Sequence, residues 1–88
     1  MRFVWDPAKA AGNEQKHGVS FYEASTAFAD PFAVYEADAR YAQRGNLIGT
    51  STSQHLLFVV HIEILGEDVI RIISARQANR NERRRYEE

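Results

Sequence analysis

The chain is expected to fold as a small α+β domain: two N-terminal helices packed on a mainly antiparallel sheet of about four strands, followed by a basic C-terminal helix. Three observations lead there. Residues 6–30 hold two capped segments with helical spacing of apolar positions. Residues 32–75 hold short β-rich runs separated by turn signals. The last dozen residues are helix-forming but carry hardly any apolar face.

Each element has a local reason. Phe3-Val4-Trp5 reads as a short edge strand. Asp6 caps a first helix, Pro7 suits its first position and Gly18 closes it. Its apolar face is thin and mostly alanine, while Lys9, Asn13, Lys16 and His17 form one polar stripe. Ser20 and Glu23 make a capping box for the second helix, with Val19 stapling onto Ala24. Phe21, Ala24, Ala27 and Phe28 are its core stripe, and Asp30-Pro31 ends it. A strand is expected over 32–36 and a polar loop with Arg40 and Arg44 over 37–46. Two antiparallel strands follow over 47–52 and 55–64, joined across Ser53-Gln54. Gly66-Glu67-Asp68 turns the chain into a strand over 69–75. Ser74 and Gln77 form a second capping box, which would start the last helix at that strand's end.

Bulk properties narrow the function classes. Eighty-eight residues make one domain, 1–88, with a single modest core. Without cysteine there is no disulfide, thiolate metal site or thiol redox chemistry. No apolar run could span a bilayer and no secretory signal opens the chain, so a cytoplasmic location without membrane contact is expected. The net charge of -1 hides segregation: residues 71–85 carry six of the nine arginines against one Glu. A basic patch on an acidic body suits phosphate contact at one surface.

The chemistry concentrates in Val69-Ile70-Arg71-Ile72-Ile73-Ser74-Ala75-Arg76. Three Ile in four residues mark a buried strand, yet Arg71 interrupts it and needs either a carboxylate (Asp6, Asp30 or Glu82) or an anion-facing surface. Ideal alternation sets Arg71 and Arg76 on opposite faces; they converge only if a helix beginning at Ser74 turns Arg76 back over the sheet. No metal-ligand spacing, glycine-rich phosphate loop or nucleophile elbow is present, and no cofactor is implied. What remains is anion recognition by Arg and Lys. His17, the one histidine on a helix, is either a proton carrier or a C-terminal helix cap. Lys9 and Lys16 are either phosphate contacts or a solvated face, and His55 and His61 read as packed sheet residues.

These residues resemble the BrnT family of bacterial type II toxins. The resemblance is carried by Phe3-x-Trp5-Asp6-x-x-Lys9, Asn13-x-x-Lys16-His17-Gly18-Val19-x-Phe21, Phe28-x-Asp30-Pro31, Ile48-Gly49 and Arg71-Ile72-Ile73-Ser74-Ala75-Arg76-x-Ala78, with Glu82 and Tyr86 at the end. It implies a RelE-like fold and metal-independent RNA endonuclease activity that inhibits translation. It also implies neutralisation by a BrnA-like antitoxin, with operator DNA met only through the antitoxin complex. The family pattern places Glu before the loop arginine; here Gln43 precedes Arg44, so no base is assigned there.

Proteins of the implied fold share shape more readily than catalytic residues, so the site is argued from this sequence: His17, Arg44, Arg71 and Arg76 are expected at the reacting phosphate. Lys9, Lys16 and Arg80 are expected on RNA, and Arg83, Arg84 and Tyr86 on the antitoxin. Arginine stays protonated, so the three arginines stabilise charge and never act as base. The alternative is a non-catalytic nucleic-acid or protein-interaction module using the basic terminal helix.

Overall fold

A computed structural model describes residues 1–64 and 66–88. The order is β1 (Arg2–Val4), α1 (Pro7–His17), α2 (Phe21–Thr26), a 3₁₀ turn (Ala27–Ala29), β2 (Val34–Ala37), β3 (Arg44–Thr50), β4 (Leu56–Ile64), β5 (Val69–Gln77) and α3 (Arg80–Glu87). The strands form one sheet in the order β1-β5-β4-β3-β2. It has five strands rather than about four: β1 adds parallel to β5, and every other pairing is antiparallel.

The expected caps close both early helices. Asp6 accepts from Ala8 N at 2.8 Å, and Ser20 Oγ accepts from Glu23 N at 2.9 Å. Gly18 ends α1 at φ 72°, a left-handed conformation that costs glycine nothing. Both helices sit over one sheet face. There Val19, Phe21, Ala24, Ala27 and Phe28 bury against Leu47, Leu57, Val59, Ile70, Ile72 and Ala75. Trp5 lies edge-on to Phe21, and Phe3 packs on Phe28.

No residue of α1 is fully buried, so apolar packing alone does not hold it. Asn13 ties it down instead. Its amide donates to Ala75 O at 2.8 Å and Val19 O at 3.0 Å, and its oxygen accepts from Ala75 N at 3.1 Å. Asn13 therefore leaves the polar stripe expected from its spacing and serves as the bolt between α1 and β5.

The strand carrying the arginines departs most from expectation. Val60 pairs with Ser74 but His61 pairs with Ile72, so Ile73 is the extra residue of a β-bulge. The bulge shifts the alternation by one, and the five-residue step from Arg71 to Arg76 returns to the same face. The strand also continues to Gln77, because β4 pairs as far as Leu57↔Gln77 and Leu56 O accepts from Ala78 N. Sheet pairing thus overrides the Ser74–Gln77 cap. α3 begins at Arg80 behind a different capping box, in which Asn79 and Glu82 bond each other's backbone N–H at 2.8 and 2.9 Å.

Candidate nucleic-acid face

The register gives the composition of the sheet face turned away from α1 and α2. One row across it reads Arg44–Ile62–Arg71–Val4, the next Glu36–Asn46–Val60–Ser74, and a third Val34–Ile48–Phe58–Arg76. Neighbouring strands lie about 4.8 Å apart, so the backbones of Arg44 and Arg71 stand roughly 10 Å apart with half-buried Ile62 between them. Arg71 is exposed and has no carboxylate within 4.0 Å among the described residues. Arg44 is half-buried, its guanidinium 4.4 Å above the Tyr41 ring.

Arg76 shares this face but is differently engaged. It grips Glu82 through two bonds of 2.8 Å and lies 4.5 Å over the Phe58 ring. Glu82 is 5% exposed. Burial pushes its carboxyl up, yet the Arg76 and Asn79 hydrogen bonds and the nearby guanidinium charges bring it below its ordinary value. Those same bonds to Glu82 raise Arg76 against the opposing effect of burial. The pair fastens α3 over the third row, where Ile48 is fully buried.

Two more clasps hold α3. Tyr86 donates to Asp30 Oδ2 at 2.6 Å and accepts from Thr50 Oγ1 at 3.1 Å. Arg85 bonds Glu36 at 2.6 and 3.1 Å. Burial raises Asp30, but hydrogen bonds from Tyr86, Thr50 and Phe32 bring it below its ordinary value. The terminal helix, which carries hardly any apolar face, is held by polar side chains of its own fold.

The four residues assigned to the phosphate do not all converge. Arg44, Arg71 and Arg76 share the open face; His17 is exposed at the end of α1, the helix packed on the other face, as are Lys9 and Lys16. Arg80, Arg83 and Arg84 are exposed on α3. Glu36 was missed because its place beside the Arg44 row depends on a pairing of β2 with β3 that no motif encodes. Ser51 donates to Glu23 at 2.7 Å, and His55 meets the same carboxylate oxygen at 2.7 Å. Here Ser51 bonds a carboxylate rather than a histidine, which knits the β3–β4 turn to α2 and leaves no activated nucleophile.

Among the described residues no cluster of three or more His, Asp or Glu could hold a metal, and no helix is long and apolar enough to cross a membrane.

Fold and face together define a small α+β protein with guanidinium groups in register across an open sheet. A family model described as "Ribonuclease toxin, BrnT, of type II toxin-antitoxin system" matches residues 5–82, and the chain belongs to that family. The crystal structure of the Brucella abortus ribonuclease toxin BrnT superposes with a TM-score of 0.71 at 24% identity, covering 91% of this chain and 99% of that one. At that identity the likeness speaks to the fold. No curated protein matches the sequence.

Proposed function

We propose that this chain is a metal-independent endoribonuclease that halts translation by cutting RNA on the open sheet face, and that a cognate BrnA-like antitoxin silences it. The observation that carries the reading is the row Arg44–Ile62–Arg71, two guanidinium side chains flanking an apolar floor. A phosphodiester held there gains charge in its pentavalent transition state, and the two flanking cations stabilise that state more than the ground state. The ribose 2′-oxygen bonds to phosphorus, the bond to the 5′-oxygen breaks, one proton leaves the 2′-hydroxyl for a base, and another reaches the 5′-oxygen from solvent water.

Glu36, one row from Arg44 on the same face, is the carboxylate placed to take the first proton, provided Arg85 releases it. Arg76 acts through Glu82 and supports the fold. Operator DNA is met through the antitoxin complex. The exposed Arg80, Arg83 and Arg84 next to the open face give an acidic antitoxin segment a docking surface.

Incubating the purified chain with RNA in EDTA tests this reading. Cleavage by the wild type, lost in Arg44→Ala and Arg71→Ala with the fold intact, supports it. RNA that is bound but never cut rejects it in favour of a binding module.

A further inference from the structure

At the β2–β3 edge of the same sheet, beyond the reach of α1 and α2, a second feature adjoins the arginine row at Arg44 and Glu36 but opens mainly on the helix-side face. The row Ala37–Gly45–His61 crosses three strands there, and its first two positions contribute almost no bulk. The result is a pocket of about 520 Å³ whose lining includes Tyr35, Ala37, Gln43, Gly45, His61 and Glu63.

Its polar groups have a definite sense. His61 is 2% exposed, and its ring is set edge-on to Phe28 at 4.9 Å and to Tyr35 at 6.4 Å. Burial lowers its basicity more than the Val59 carbonyl and the Glu63 charge restore it, so the ring is neutral near pH 7. Nδ1 lies 3.4 Å from Val59 O, an acceptor, which leaves Nε2 as the ring's free lone pair. That nitrogen would stand 3.2 Å from a Cβ at position 45, so glycine keeps space open beside it. Glu63, exposed at the pocket, also only accepts, and Gln43 offers both an amide donor and an acceptor. Tyr35, 54% exposed, supplies an aromatic wall.

Away from Arg44, the Glu63 carboxylate and the neutral His61 acceptor disfavour a phosphate and select a ligand with N–H donors. Aromatic walls stack on planar bases. Guanine carries adjacent N–H donors on one edge beside a carbonyl acceptor; uracil has one donor between two acceptors. Arg44 belongs to both regions, since it lines the pocket and heads the arginine row.

We propose that the Tyr35–Gln43–His61–Glu63 pocket is a nucleobase subsite that prefers guanine, seating a base next to the phosphate held at Arg44. The role of the seated base rests on the ribonuclease reading; the pocket's ligand does not.

The probes are guanosine and uridine, which lack the phosphate that the arginines would answer, titrated into the whole chain and followed by backbone amide shifts. Guanosine should bind and perturb Gly45 and His61, with uridine weaker by about tenfold. Tyr35→Ala should weaken guanosine by about tenfold through lost stacking. Glu63→Gln, an exposed change that leaves melting unaltered, should erase most of the preference between the two nucleosides. Equal binding of both, or no shifts at Gly45 and His61, overturns the proposal even if RNA is cleaved. Guanosine binding at the pocket by a chain that cleaves no RNA upholds the subsite and overturns the ribonuclease reading.

Discussion

The two faces of this sheet are made by alternate residues of the same strands, yet they are stabilised by different physics. On one, Leu57, Val59, Ile70 and Ile72 meet Phe21, Ala24 and Phe28, and stability scales with apolar area removed from water. On the other, α3 is held mainly by Arg76–Glu82, Tyr86–Asp30 and Arg85–Glu36, leaving Arg44 and Arg71 in an uncovered row. The difference teaches where change is tolerated. The covered face decides whether the chain folds, and the open face can carry unpaired cations because water still reaches them.

Breaking the covered face should have the largest effect. Phe21→Ala removes one of the largest fully buried side chains and should cost about 3–5 kcal/mol, read by urea unfolding. Breaking the open face should leave folding alone. Arg71→Ala, at an exposed position, should move stability by no more than about 0.5 kcal/mol. The same change should lower RNA cleavage by roughly 10²–10³-fold, as loss of one charge-stabilising donor does elsewhere. A variant that unfolds while keeping its residual rate would invert the comparison.

The clasps that join the faces should respond less strongly. Arg76→Ala leaves Glu82 buried without its cation and should destabilise by roughly 1–3 kcal/mol, with loss of α3 protection in hydrogen exchange. The pH dependence follows from the carboxyls of Glu82 and Asp30, both held below their ordinary values of 4.5 and 3.8. Their contribution is complete above those unfolded-state values and is lost as the pH falls through the lower folded ones. Acid should therefore loosen α3 below about pH 4, and Glu82→Gln should flatten that part of the stability–pH curve. The smallest effect is assigned to His17→Ala. Its rate loss should fall far short of the roughly 10²–10⁴-fold expected for removal of a general base.

Much of the covered face was legible. Asp6, Gly18 and the Ser20 half of the expected box place the early helices because capping is local chemistry, while the Glu23 carboxylate turns to Ser51 and His55 instead of closing the box. The blocks around Lys16-His17-Gly18-Val19 and Arg71 to Arg76 also sufficed for the family resemblance. The open face was not legible, and the reason is specific. Ile70, Ile72 and Ile73 have the same strand propensity, so nothing local marks Ile73 as the bulged residue; its status follows from how β4 pairs. The same pairing carries β5 past Ser74, so a valid capping signal went unused and Asn79–Glu82 served instead. Asn13 read as a surface residue because its three partners lie on Val19 and Ala75, which a helical wheel cannot show.

The central claim is that the bulged strand turns its arginines, with Arg44, onto one working face, and that the opposite layer takes no part in the cut. Single-turnover RNA cleavage in EDTA tests it most directly, comparing Arg44→Ala, Arg71→Ala and their double variant with Lys16→Ala and His17→Ala. The account predicts large losses for the two arginines, a double variant less impaired than the product of the singles, and near-wild-type rates for Lys16→Ala and His17→Ala. Full activity in Arg71→Ala with loss in His17→Ala would contradict it and move the site to the helix layer.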